Sequence, residues 1–302
     1  MQNYNIEIDQ NQRELKKHGD SFFPIAAYDE YFSQFPLKEV PWHWHEELEL
    51  IVVLEGSCRL EYFGASLILD TNDGVFINCN TLHRLTQISD SDCHIINFVL
   101  KEDFLGGRLD SRIYNDYIKP ICTNTCLYAI KFSSKIPCES EITSKIRIAF
   151  DAFIKSDICY ELEVKSNLLD AWRTMCKNKP QLLNIDNYSP TENKVRLDKI
   201  ISFIHKNYGN KITIPQLGKI ASISESECYR LFNKTLNLTP NEYLLNHRLS
   251  VATIDLAETN KSILEISLDS GFGSSSYFSK KFKEVYALTP NAFRKKYHKS
   301  KK

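Results

Sequence analysis

No apolar run in the 302 residues approaches the roughly 18 that a membrane helix needs, and the opening stretch, MQNYNIEIDQNQRELKKHGD, holds no apolar signal core. Any C-x-x-C pair is missing too. The nine cysteines (Cys58, Cys79, Cys93, Cys122, Cys126, Cys138, Cys159, Cys176 and Cys228) are scattered and odd in number. That pattern speaks against a disulfide framework and against a zinc module. Net charge is absent, because 38 Lys and Arg offset 38 Asp and Glu. What is left is a soluble, cytoplasmic chain with no membrane partner. Its 42% hydrophobic and 25% charged residues lie in the globular range, which excludes wholesale disorder. At about 150 residues per domain the length suggests two domains, each large enough for its own core.

The zero balance conceals an asymmetry. Lys194 to Lys302 carries 19 Lys and Arg against 9 Asp and Glu, leaving 19 basic against 29 acidic in the remainder. One half is suited to a polyanion and the other is not. The tail supplies Arg294, Lys295, Lys296, Lys299, Lys301 and Lys302, yet the segment stays positive without them.

Patterning also changes along the chain. From Glu49 to Asn97 short apolar runs (LELIVVLEG, CRLEYFG, SLILDTNDG, VFINCN, CHIINFVL) alternate with turn signals, which suggests a sandwich or small barrel. Gly56, Gly64 and Asn72-Asp73-Gly74 fall where hairpins need positive φ. Helical spacing follows in Ile142, Ile146, Ala149, Phe150 and Phe153, then in Leu162, Leu168, Leu169, Trp172, Met175 and Cys176. Such a helix pair completes the barrel's core or forms a dimer interface. Residues 178–193 read as a linker rich in Asn and Pro, dividing a domain over 1–177 from a helical one over 194–302.

The helical part contains a repeat. Leu238-Thr239-Pro240-Asn241 returns as Leu288-Thr289-Pro290-Asn291, and Phe232 matches Phe282 at the same offset. Ile214 and Leu217 match Ile263 and Ile266 one residue out of step, so an insertion lies in the turn between. Each copy has helix-turn-helix grammar. In the first, Pro215 opens a helix, Ser222-Ile223-Ser224 turns, and Glu225 to Lys234 buries Cys228, Leu231 and Phe232. The second turns at Gly271-Phe272-Gly273, caps at Ser274 and buries Phe278 and Phe282. Between them, Thr239-Pro240-Asn241-Glu242 is a capping box opening a helix that ends near Thr259, about 28 Å at 1.5 Å per residue.

From about Val195 to Tyr297 the chain resembles the DNA-binding domain of AraC/XylS-type transcription regulators. Gly271 to Lys283, with Thr289-Pro290, carries the likeness. Ser267 stands where that family usually has alanine, and Ser222-Ile223 replaces a glycine turn. The outward residues of the first recognition helix are Ser226, Glu227, Tyr229, Arg230 and Asn233; those of the second are Ser275, Ser276, Ser279 and Lys280. Arg230 can fork onto guanine and Asn233 can pair with adenine, whereas hydroxyls and lysines favour phosphate. Glu227 either supports the helix N-terminus or accepts from a cytosine amino group.

Around Pro41 to Leu50 the chain resembles the cupin barrel that such regulators often carry. His43, His45, Glu47 and Glu49 share a strand face by alternation, and His83 stands at the second cupin motif, where Cys79 and Asn80 replace the usual proline and glycine. His43, His45, Glu49 and His83 match the metal-binding set of cupins, suited to a divalent ion. The reading placed first assumes no cofactor. It takes Trp42, His43, His45, Glu47, Glu49 and His83 as the pocket for a small organic effector, with a bound metal second and vestigial core polarity third. The expected fold class is therefore α+β: a cupin-like β-barrel with flanking helices, then an all-α domain of two helix-turn-helix units. The expected function is an effector-responsive regulator, not an enzyme, that binds promoter DNA as a homodimer. Contact with RNA polymerase is implied by the resemblance. A cupin metalloenzyme tethered by a basic domain is the alternative, and a nonspecific architectural protein is a weaker one.

Overall fold

The computed structural model describes residues 6, 8–9, 12–62, 65–184, 192–236 and 238–297. Among these, nine strands form two antiparallel sheets: β1 (Ile25–Tyr31), β2 (Glu39–His43), β3 (Leu48–Glu55), β4 (Ser57–Tyr62), β5 (Ala65–Asp70), β6 (Gly74–Ile77), β7 (His83–Gln87), β8 (His94–Leu100) and β9 (Ala129–Phe132). One sheet runs β1-β8-β3-β6-β9 and the other β2-β7-β4-β5. Gly56 (φ 72°) and Asn72 (φ 70°) take the left-handed conformations their turns require. Gly64 lies outside the described residues.

The run LELIVVLE reads as nearly continuous apolar sequence because β3 is buried on both faces. With a period of two, Leu48, Leu50 and Val52 face one core, and Ile51 and Val53 face another. The second core fills the sandwich with Val40, Leu60, Leu69, Val75, Leu85 and Ile95. The first lies beneath helices. After α1 (Glu102–Gly106) and α2 (Lys119–Cys122), α3 (Pro137–Lys155) and α4 (Tyr160–Asn178) bring Ile142, Ile146, Phe150, Leu168, Trp172 and Met175 onto Phe76, Ile96 and Phe98. Each such side chain contributes roughly 1.5–3 kcal/mol of burial. Leu162, expected in this face, is 70% exposed instead and lies in the first turn of α4.

The chain divides into two units, one built on Arg13–Pro190 and the other on Thr191–Lys302. Leu182 is buried in the helix-covered core, so the start of the expected 178–193 linker packs with the first unit. Residues 185–191 of that stretch lie outside the described residues.

Seven helices make up the described part of the second unit: α5 (Glu192–Asn207), α6 (Ile214–Ala221), α7 (Glu225–Leu236), α8 (Pro240–Glu258), α9 (Ile263–Asp269), α10 (Ser275–Tyr286) and α11 (Pro290–Tyr297). The repeat is visible in their ends. Thr213 with Gln216 and Ser262 with Glu265 form equivalent capping boxes for α6 and α9. Ser222 (φ 56°) and Gly271 (φ 76°) are the equivalent left-handed residues that end those helices. The inserted residue lies just after, where Ile223-Ser224 corresponds to Phe272-Gly273-Ser274. Cys228 with Phe232, and Phe278 with Phe282, are fully buried at matching positions. Thr239 and Glu242 close the box that starts α8.

Two histidines lie inside this unit. His205 and His247 stack at 4.3 Å between centroids, and His205 Nε2 is 2.9 Å from the Tyr243 hydroxyl. Burial pushes His205 down to about 4, against the pull of Asp9. Burial, then His205 and Arg248, hold His247 well below its ordinary value.

Three outcomes are expected. Ser222→Gly should raise stability by about 1 kcal/mol in denaturant melts, because a side chain in the left-handed region costs about that much. Gly271→Ala should lower it, since a Cβ there would lie 2.4 Å from the Tyr208 carbonyl oxygen. The histidines make stability fall with acid: the unfolded imidazole takes its proton near pH 6.5, the folded one only near the depressed value. By pH 5 His205 alone should cost about 2 kcal/mol relative to pH 7.5. Urea midpoints at the two pH values, with His205→Phe as comparison, check this.

Candidate functional site

Pro41 has no N–H to give to a ladder, and the β2–β7 register shifts between Val40 and His43. Beyond that irregularity His43 pairs directly with His83. The chain then turns over residues 44–47 before Leu48, and this turn breaks the simple alternation. His45 and Glu49 still face the interior, whereas Glu47 contributes its carbonyl rather than its carboxylate.

All three imidazoles are held alike. Nδ1 of His43, His45 and His83 lies 2.8, 3.0 and 2.8 Å from the carbonyl oxygens of Pro41, Glu47 and Thr81. A carbonyl only accepts, so each Nδ1 carries a proton and Nε2 is the nitrogen left for the centre. The Asn97 amide donates to Glu49 Oε1 at 2.7 Å. His45 Nε2, His83 Nε2 and Glu49 Oε2 are buried without a hydrogen bond, although Glu49 Oε2 lies 3.6 and 3.1 Å from the two nitrogens. These atoms are close together at the distances of ion pairs rather than of well-aligned hydrogen bonds. One ligand atom from each of His43, His45, Glu49 and His83 falls within 4.8 Å of the others. Three imidazoles and a carboxylate, each fixed from behind, meet what a divalent transition metal requires.

Burial and the neighbouring His83 hold His43 down at about 3, so it is neutral as a ligand must be. Burial works to lower His45, but its contact with Glu49 outweighs burial and raises it. Burial works to raise Glu49, but contacts with His45 and His83 outweigh it and keep the carboxyl well below its usual range. A cavity of about 20 Å³ adjoins His43, His45 and Glu49 of the cluster, lined also by Glu14, His18, Tyr28, Glu30 and Asn97. That is room for one water-sized group. Neither Trp42 nor Glu47 is in the lining; the Trp42 ring lies 5.2 Å from the Arg84 guanidinium.

On α7, Ser226, Tyr229, Arg230 and Asn233 are exposed, as are Ser276 and Lys280 on α10; Ser275 and Ser279 are half-buried. Glu227 is committed locally: its carboxylate accepts from the Ser224 N–H at 3.1 Å, and this contact keeps it below the ordinary carboxylate range. Of the two roles left open for Glu227 in sequence, the helix N-terminus is the one the geometry serves. Tyr277, half exposed on α10, also faces solvent, although sequence reasoning had passed over it.

Residues 217–296 match the helix-turn-helix domain model and residues 36–99 the cupin domain model. An uncharacterized HTH-type transcriptional regulator of Bacillus subtilis (strain 168), YdeC, is 28% identical, spanning 96% of this chain and 98% of its own. The chain thus carries an AraC-type helix-turn-helix domain beside a cupin domain, and its relatives are AraC-type transcription regulators. The melibiose operon regulatory protein of Escherichia coli (strain K12) is 25% identical over 90% of this chain and 91% of its own. Among solved structures, ToxT from Vibrio cholerae covers 90% of the chain and 98% of itself at 14% identity and a TM-score of 0.48. On its two domain matches and its relatives the chain is a DNA-binding transcription regulator with an N-terminal cupin domain of two sheets. No helix among its described residues is long and apolar enough to cross a membrane.

Glu14, His18, Tyr28 and Glu30 stand at the cavity without a spacing that announces them, since they lie outside both cupin-like segments. Asn97 left a trace in the sequence: it is the polar interruption in the apolar run CHIINFVL.

Proposed function

We propose that this regulator binds promoter DNA through Ser226, Tyr229, Arg230 and Asn233 of α7 and Ser275, Ser276, Ser279 and Lys280 of α10, under control of a divalent metal ion in the barrel. His43, His45, Glu49 and His83 would hold the ion, with residues 1–177 as the sensing and dimerising domain and 194–302 as the DNA-binding one. The observation that carries the ion is the convergence of four buried donors, three of them pinned as the correct tautomer by backbone carbonyls. The size of the adjoining space supports an ion over an organic effector around Trp42 and Glu47, because small-molecule pockets run to about 300 Å³ or more. It weighs equally against a cupin metalloenzyme, which would need to admit a substrate.

Occupancy controls DNA binding only if the ion favours one arrangement of the chain over another. Bound, it would supply a positive centre that draws the four ligands to common distances. Exposed Ile148, Ile154 and Leu162 on α3 and α4 support a homodimer through those helices. Activation by contact with RNA polymerase belongs to the same proposal, on family resemblance alone.

Chelator-treated protein titrated with Co²⁺, Ni²⁺ or Zn²⁺ should take up one equivalent, and His45→Ala should abolish this; a wild type that binds no ion refutes the ion-sensing reading. On DNA, Arg230→Ala should relax base preference, at a cost of about 1–3 kcal/mol for the preferred site. Lys280→Ala should weaken all sequences and flatten the salt slope by about one. Footprints over a salt series separate the two, and identical responses would contradict this division of labour.

A further inference from the structure

We propose that Glu14, which comes from neither sheet, is the second carboxylate of the ion site and sets its preference for doubly charged ions. This inference rests on the barrel being an ion site.

Placement of Glu14 is a backbone matter. Arg13 forms a parallel bridge with Trp44, and the Glu14 N–H donates to the Trp44 carbonyl at 2.8 Å. Trp44 lies between His43 and His45 in the chain, so this bridge ties Glu14 to the loop carrying two of the four donors. On the exposed side Arg13 pairs with Glu46 at 2.7 Å and lies over the Trp44 ring. The Glu14 side chain is buried, 3.2 Å from His18 Nε2. His18 Nδ1 in turn meets the Tyr28 hydroxyl at 2.9 Å, and its ring lies 5.6 Å from that of His45. His18 Nε2 is another buried nitrogen without a hydrogen bond.

Glu14, Glu30 and Glu49 line one small cavity, and among the described residues no Lys or Arg joins them in that lining. Lys16 is the nearby cation, and its ammonium sits over the Tyr28 ring at 4.2 Å. Buried carboxylates faced mainly by imidazoles are costly unless a cation answers them. Three neutral imidazoles and Glu49 would leave a divalent ion with one charge uncompensated. Glu14 supplies the other negative charge. It stands outside the set whose ligand atoms lie within 4.8 Å of one another, so it acts across the water-sized gap rather than as a fifth close ligand. Groups behind the ligands of a metal site typically change affinity by about 10–100-fold when removed.

The test compares Co²⁺ binding to wild type, Glu14→Gln, Glu14→Asp and Glu46→Gln by chelator competition, with the absorption spectrum of the bound ion as a second readout. Glu14→Gln keeps size and loses charge, so Co²⁺ affinity should fall roughly 10–100-fold. Glu14→Asp should recover most of it, and Glu46→Gln should match wild type within about twofold. The melting temperature of each metal-free variant separates lost folding from lost affinity. If wild type binds Co²⁺ and Glu14→Gln binds it equally well with an unchanged spectrum, Glu14 has no part in the site, while the four-ligand reading survives. Failure of Glu14→Asp to bind better than Glu14→Gln would also overturn the charge argument. Should wild type bind no ion at all, the reading beneath falls together with this one.

Discussion

Three backbone carbonyls decide the chemistry of the barrel. By accepting the Nδ1 protons of His43, His45 and His83, they leave the three Nε2 atoms for the interior, those of His45 and His83 buried without a hydrogen bond. Each carbonyl belongs to a residue two positions away in the same segment, so the constraint is local and survives small movements of the sheets. Convergence requires more. It needs the irregular β2–β7 pairing that sets His43 opposite His83, and it needs β3 to present Glu49 on the face it shares with Ile51 and Val53. The Asn97 amide then turns the Glu49 carboxylate so that Oε2 is left for the centre.

Around this polar knot the rest of the first unit is a conventional two-core arrangement. The sandwich core excludes water from the donors, and the helix-covered core braces the sheet from behind. Exclusion of water makes each electrostatic term in the cavity larger than it would be at the surface. The second unit solves a different problem, holding two short helices in place twice over. Both copies use a capping box to start the positioning helix, a left-handed residue to end it and a buried pair to seat the next helix. Serine performs the left-handed role in the first copy and glycine in the second, with the same geometry at different conformational cost.

Legibility in the sequence followed the strength of local signals. β3, β4, β5, β6 and β8 were readable from runs such as LELIVVLE, because β-branched and aromatic residues between turn residues point to strands. β1 was not, since its alanines and charges in IAAYDEY have weak strand preference and its pairing partner β8 lies far along the chain. β9 has four residues and was too short to register. Period and caps exposed α3, α4 and the helices of the repeat. The four ligands emerged because they sit in two compact segments. Glu14 and His18 did not, as nothing near them in sequence says that their segment bridges to Trp44. The strand alternation that assigned Glu47 inward failed for a similar reason: a turn over residues 44–47 interrupts the period.

By itself, then, the sequence determined the division into an acidic β-rich half and a basic helical half, the duplicated helix-turn-helix and the identities of four candidate ligands. Those features are written in composition, period and spacing, which act over a few residues. Tertiary structure alone decided that the imidazoles share a tautomer and a focus, that Glu14 joins them from outside the sheets, and that the space left beside them has room for one water-sized group. Such properties depend on which distant strands pair and how closely side chains fill the interior, and interiors pack to within a methyl group of full.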